Sequence, residues 1–443
     1  MTRVVVVGAG SAGAVIAARL SEHPGFFVTL IEAGPDQRSA DVPAALRGPS
    51  FVDAMGHAGR TWPDLMATRA HGQPPRQYVR GRGVGGSSSI NALVALPGQP
   101  GDYDDWEHLH GCAGWSWQHV EPWFRRTRLV LNRAPRGEWG PMNTALGTAV
   151  QSAAEGVPLT RDVHGGRVSV NDAYLEPARG RDGLAIVGDT LVDRVLFDGR
   201  RATGVRTGDG VEIEADLVVV SAGAIHSPAI LMRSGVDTPG VGDNLHDHPS
   251  FPIAIQLHQP RLPSQLPIAT LAQLSSPHGH HDLQLLPIDG VDRSLPHLGL
   301  LMAALMRSRS RGTVRLADAD PTVDPLVDFA MLGDERDWAP LSAAIDQAEQ
   351  ALAHPAMQAI GQVVAYDRSL EGVRASLGDY VHAAGTCAMG TVVDPLCRLI
   401  GYDGIVVCDA SVMPQSPRAN THLPTVMIAE RIAAQIVATT SSA

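Results

Sequence analysis

The sequence predicts an α/β protein: a parallel sheet covered by helices, with an inserted α+β domain built on an antiparallel sheet. Three observations predict it. Val4–Val7 is a short β-branched apolar run, Ala14–Leu20 reads as a helix, and Val28–Ile31 is a second apolar run, so the chain opens strand, helix, strand. Glu212–Val220 alternates and then turns wholly apolar before the small-residue turn Ser221–Gly223, and a helix follows over Pro228–Arg233. Phe251–Tyr380 differs in character. It is rich in proline and leucine, with short alternating runs at Gly312–Leu316 and Leu326–Phe329 and one amphipathic helix at Trp338–Leu352. At 443 residues the chain also exceeds what one core usually holds, which asks for two closely associated domains.

Between the first strand and helix lie Gly8, Gly10 and Gly13 in G-x-G-x-x-G spacing, with Ser11 and Ala12 inside the motif. Gly8 permits the tight turn off the strand. Gly10 lets the backbone approach a pyrophosphate, and Gly13 lets the helix pack close to the strand. The helix N-terminus offers free N–H groups and a positive dipole end to phosphates. Glu32, followed by Ala33, ends the second strand, where a carboxylate can accept hydrogen bonds from ribose hydroxyls. The order strand, glycine turn, helix, strand, acid is that of a Rossmann-like dinucleotide-binding unit. It predicts an ADP moiety and leaves NAD and FAD open. An acid where a 2′-phosphate would sit argues against NADP.

Further strand-like segments stand at Ala185–Val187, Leu191–Phe197 and Gly204–Arg206. Composition narrows the class. The net charge is −11, all 35 basic residues are arginine, and no basic run suggests nucleic acid. Cys112, Cys387, Cys397 and Cys408 have no metal-like spacing and are expected to be reduced and structural. The His278–His281 run reads as a polar loop, and no metal site is expected. The first strand starts by residue 4 and no stretch is long enough to span a bilayer. A cytoplasmic protein without a transmembrane segment is expected, with peripheral membrane contact left open.

Four ordered motifs then carry a resemblance. They are GRGVGGSSSIN at Gly81–Asn91, SAGAIHSPAILMRSGV at Ser221–Val236, GVGDNLHDHP at Gly240–Pro249, and the tail from HAAGTCAMG through ANTHLPTVMIAERIA. Together they resemble the glucose–methanol–choline (GMC) family of FAD-dependent oxidoreductases over nearly the whole chain, although Asp237 stands where a glycine is usual. The resemblance implies FAD. It implies that the loop at Gly85, Gly86, Ser87 and Ser88 wraps the pyrophosphate and ribityl, that Asn91 lies beside the isoalloxazine, and that Val192 contacts the adenine through its backbone. Asp409 is then near the ribityl and pyrophosphate, and Arg82, Ala222, Gly223, Ala410 and Thr421 join the cofactor set. Some members attach flavin through a histidine just before the loop asparagine. Ile90 occupies that position here, so the FAD is expected to be non-covalent.

The same resemblance implies a catalytic pair. Alcohol oxidation by a flavin needs a base for the hydroxyl proton and a group that aims the C–H bond at the ring. His382 matches the family's base and Asn420 its second position, with His422 two residues on as a rival for that place. The implied activity is oxidation of a primary or secondary alcohol, polyol or sugar, with electrons passed to oxygen, a quinone-like acceptor or a peptide-derived carrier. The chain is compact for the family, and its SPRANTHLPTVMIAERI ending is similar to the mycofactocin-associated members. A hydroxynitrile-lyase-type reaction on the same scaffold is the alternative; a photodecarboxylase is disfavoured by the intact pair. The expected organisation is a FAD-binding domain in three parts, 1–130, 184–250 and 381–443. A short lid or substrate segment spans 131–183 and a substrate domain 251–380.

Overall fold

The computed structural model describes residues 1–277 and 279–440. Strand β1 (Thr2–Val7) lies at the centre of a five-stranded parallel sheet. Leu217–Val220 and Ile405–Val407 lie on one side of it, and β2 (Phe26–Ile31) and Leu184–Val187 on the other. Such a sheet is covered on both faces, which is why its strands read as unbroken valine and isoleucine runs. Val4, Val5, Val6 and Val7 are all buried. Each fully buried side chain of this size contributes about 1.5–3 kcal/mol. Helix α1 (Gly13–Leu20) packs on β2 and on the long helix His422–Thr440, which carries the chain's last buried residues.

Glu212–Val220 divides at Ala215–Asp216 rather than forming one strand. Glu212–Glu214 closes a three-stranded antiparallel meander with Val192–Asp198 and Arg201–Thr207, whereas Leu217–Val220 enters the parallel sheet. The helix expected from Pro228 begins at Gly223. Pro228 lies inside it and lacks the N–H that would reach Ala224, and the Thr386 hydroxyl donates to the Ala224 carbonyl instead at 2.6 Å.

The second sheet is antiparallel, in the order Ala272–Leu274, Leu283–Asp289, Leu298–Leu305, Ser250–Leu257, Gly361–Val363. One face packs on the helix Trp338–Leu352 through Leu283, Leu285, Leu301 and Ala303. The alternate residues Leu286, Met302 and Ala304 enter a separate apolar cluster with Leu93, Val94, Ile268 and Tyr380. The fold class is as expected, with one relocation. Thr313–Arg315 and Leu326–Asp328 form a small mixed sheet with Met66–Thr68 and Arg76–Gln77 instead of joining the large antiparallel sheet. All four cysteines are buried and free. No helix among the described residues is long and apolar enough to cross a membrane. Of the His278–His281 run, His278 lies outside the described residues; the rings of His280 and His281 pack edge to face.

Candidate active site

A cavity of about 440 Å³ runs from the carboxyl end of β1 to the alternate face of the antiparallel sheet. It begins where the strand order changes direction beside β1, the usual ligand crevice of an open α/β sheet. The glycine turn forms its first wall. Gly8 has φ +95°, and a Cβ on Gly13 would stand 1.9 Å from the Gly8 carbonyl oxygen, so helix and strand meet here only through glycine. Gly86, at φ +51°, faces Gly10 so closely that a Cβ on it would lie 2.6 Å from the Gly10 Cα.

Glu32 is buried and braces this wall. One carboxylate oxygen accepts the Ala9 amide at 2.8 Å, and the other accepts Gly34 at 3.0 Å and Gly83 at 2.9 Å. A carboxylate offers about four acceptor sites, so capacity for a further donor is left. Asp409 does similar work, accepting Gly223 N–H at 2.8 Å, the Ser227 hydroxyl at 2.6 Å and Ser411 N–H at 2.7 Å. Gly10, Ser11, Ala12, Ala33, Ser87, Asn91, Val192, Ala222, Ala410 and Thr421 line the same cavity. Gly13, Gly85 and Arg82 stand behind the wall. Gly85 donates to the Ala9 carbonyl at 2.9 Å, and Arg82 donates to the Ala33 carbonyl at 2.8 Å.

At the far end, His382 Nε2 and Asn420 Nδ2 lie 3.3 Å apart, both lining the cavity. His382 Nδ1 and Asn420 Oδ1 are buried and have no protein partner. Burial, reinforced by His248 and Arg80, pushes the His382 pKa well below its ordinary 6.5, so the imidazole is neutral at neutral pH. His422 lines the same cavity but makes no hydrogen bond to this pair. Its Nδ1 pairs with the Ser11 hydroxyl at 2.9 Å, its Nε2 is buried without a partner, and burial with nearby Arg167 lowers its pKa to about 4.

Several residues with no role expected from sequence surround the pair. Tyr78 and Asp247 bond to the segment that carries His382, and His248 Nε2 approaches the Ala419 carbonyl at 3.2 Å. Arg167 donates to the Asn91 carbonyl at 2.7 Å and to the Asn91 side-chain oxygen at 2.8 Å, and burial lowers its pKa to about 9. Asp247 and His248 sit inside GVGDNLHDHP and Tyr78 lies three residues before GRGVGGSSSIN, so the motifs marked the neighbourhood without assigning the work.

The donor set fits a dinucleotide cofactor. Backbone glycines and a helix N-terminus line one end, and unpartnered buried polar atoms of His382, Asn420 and His422 await partners within the same cavity. The GMC oxidoreductase N-terminal family model matches residues 2–250 and its C-terminal counterpart residues 308–429. The chain belongs to the GMC oxidoreductases. FAD is the cofactor, and alcohol oxidation is the class of reaction. Among curated relatives, the 5-(hydroxymethyl)furfural oxidase of Methylovorus sp. (strain MP688) is 31% identical, over 98% of each chain. The oxygen-dependent choline dehydrogenase of Xanthomonas axonopodis pv. citri (strain 306) is also 31% identical, over 98% of this chain and 95% of that one. Among solved structures, pyridoxine 4-oxidase from Mesorbium loti superposes with a TM-score of 0.90 at 25% identity, over 98% and 99% of the two chains. The alignment with the furfural oxidase spans 533 positions, more than this GMC chain's 443 residues. Its compactness therefore reflects segments that the relative has and this chain lacks.

Proposed function

We propose that this GMC oxidoreductase oxidises a small uncharged alcohol with an apolar or aromatic body, with His382 as the base and Asn420 as the orienting donor. The observation that carries the reading is the pair itself. A neutral imidazole and an amide stand 3.3 Å apart in a buried cavity, each with a further polar atom unpartnered. An alcohol oxygen entering between them would donate its O–H to His382 Nε2 and accept from Asn420 Nδ2. His382 then takes the hydroxyl proton, and Asn420 fixes the oxygen so that only one C–H direction is open. FAD, held without a covalent link because Ile90 has no nucleophilic atom, supplies the hydride acceptor when bound.

Charge and shape select the substrate. Beside the pair the wall is Leu93, Val94, Ile268, Leu286 and Met302, with the Tyr380 hydroxyl buried and unpartnered. Arg80 lines the cavity with its Nε buried and unpartnered, and the lining carboxylate Asp379 is paired with Arg69 at 2.6 Å. A cationic body such as choline's would meet uncompensated positive charge, so the furfural-type alcohol of the first relative is the better match.

The test is anaerobic flavin bleaching with 5-(hydroxymethyl)furfural, pyridoxine and choline as probes. The two uncharged alcohols are expected to reduce the flavin faster than choline. His382→Ala should keep its FAD and slow reduction by about 10²–10⁴-fold. Unchanged reduction in that variant removes His382 from the mechanism, and a flavin left oxidised by every probe removes alcohol oxidation by this pair.

A further inference from the structure

His382 sits on a backbone bulge with an unusual construction. Two isolated antiparallel bridges, His246 to Ala384 and Ser250 to Gly378, tie the segment 246–250 to the segment 378–384. Each bridge is made in both directions, with N···O distances of 2.8–3.1 Å. Between them the chain takes four residue steps on the first segment and six on the second. The two surplus residues must bow out, and the bow holds Asp379, Tyr380, Val381, His382 and Ala383. Val381 absorbs the bend at φ +54°, a left-handed conformation that a β-branched residue adopts only when its surroundings impose it.

The bow's amides would otherwise be unpaired inside the protein. Asp247, directly after the His246 bridge on the shorter segment, accepts His382 N–H at 2.9 Å on one oxygen and Tyr380 N–H at 3.3 Å on the other. Tyr78, from a distant part of the chain, accepts Ala383 N–H at 2.9 Å on its hydroxyl and donates the hydroxyl proton to Asp247 at 2.8 Å. Tyr78, Asp247 and Ala383 are buried, and the guanidinium carbons of Arg69 and Arg80 lie 5.7 and 5.5 Å from the centroid of the Tyr78 ring. Three amides of the bow, those of Tyr380, His382 and Ala383, are thus held by two side chains that do not line the cavity.

We propose that Asp247 and Tyr78 are positioning residues, a clamp that stabilises the strained Val381 turn and so sets the reach of His382 toward Asn420. The clamp rests on the assignment of His382 as the base. The same five-residue segment serves the other partner, since His248 approaches the carbonyl of Ala419, the residue before Asn420. Neighbouring residues of one short segment therefore hold the backbones on both sides of the 3.3 Å gap. A buried carboxylate with several amide donors is rigid because each donor lost leaves a group unsatisfied.

The experiment uses the FAD-loaded enzyme and the fastest-reducing alcohol of the furfural, pyridoxine and choline set. Tyr78→Phe removes one hydroxyl and keeps the ring. It is expected to retain FAD and the wild-type melting temperature within a few degrees. Its limiting flavin-reduction rate should fall about 10–100-fold with KM within about threefold, as displacement of a reacting group by a fraction of an ångström to an ångström would do. Asp247→Asn, which keeps one acceptor oxygen, should recover part of the rate lost in Asp247→Ala. A Tyr78→Phe rate within twofold of wild type overturns the clamp, as does a rate that falls only in proportion to lost FAD or lost fold. His382→Ala run alongside separates the two failures. If it slows reduction while Tyr78→Phe reduces within twofold of wild type, the clamp alone is wrong; if it reduces normally, the base assignment fails and the clamp with it.

Discussion

The two ends of the cavity are built in opposite ways. At the glycine end the wall is backbone, contributed by residues 8–13 and by the facing turn at Gly86, and its acids Glu32 and Asp409 spend their oxygens on main-chain amides and, for Asp409, the Ser227 hydroxyl as well. At the histidine end the working groups are side chains from four distant segments, around Tyr78, Asp247, His382 and Asn420. A backbone cradle tolerates almost any neighbour but no added Cβ. A side-chain pair tolerates small backbone changes but depends on angles set elsewhere. Damage at the first end should therefore cost cofactor, and damage at the second should cost rate.

The largest effect is expected at Gly13. A Cβ there would lie 1.9 Å from the Gly8 carbonyl oxygen and 3.1 Å from the Ser221 Cβ, each just past the end of a strand of the parallel sheet. Gly13→Val must drive α1 off the sheet, at a cost of about 3 kcal/mol by the usual scale of overpacking. The variant should purify without yellow colour and melt well below wild type. Full FAD occupancy in Gly13→Val would show that the helix can shift without losing the phosphate end, and the contrast between the two ends would fail.

How much of this could be read from the sequence follows the same divide. The glycine end was legible because strand, turn, helix and acid are contiguous within Thr2–Glu32, and each residue type has a local reason. The amphipathic helix Trp338–Leu352 was legible from its period, and it covers the antiparallel sheet. Thr313–Arg315 and Leu326–Asp328 were legible as strands, but their sheet was not, because their partners at Met66–Thr68 and Arg76–Gln77 lie more than 200 residues away. At the histidine end His382 and Asn420 stood out only through family resemblance. Nothing in period or composition announces that six residue steps will be bridged against four, so the bow at Val381 and the work of Asp247 and Tyr78 emerge only in three dimensions.

A middle-sized effect is expected at Asn420. Asn420→Ala removes the only hydrogen-bonding group set against His382 Nε2 among the described residues, yet leaves the glycine wall, Glu32 and Asp409 untouched. The flavin-reduction rate should fall about 10–100-fold, equivalent to about 1.4–2.7 kcal/mol, with FAD content unchanged. Stopped-flow bleaching beside an absorbance ratio for bound flavin measures both. Loss of flavin without loss of rate per bound flavin would move Asn420 to the cofactor-holding end.

The smallest effect tests one place where the two ends touch. Ser11 belongs to the glycine turn, and its hydroxyl meets Nδ1 of His422, two residues beyond Asn420. Ser11→Ala deletes that hydrogen bond and leaves a buried imidazole nitrogen unpaired, a loss of about 0.5–1.5 kcal/mol. If His422 belongs to the cofactor-holding end, the variant should release FAD about 2–10-fold more readily in a dilution assay while the bound flavin is reduced at the wild-type rate. A slower reduction with unchanged FAD affinity would instead couple His422 to its neighbour Asn420, and the boundary between holding and reacting would then run through the first turn of the last helix rather than ahead of it.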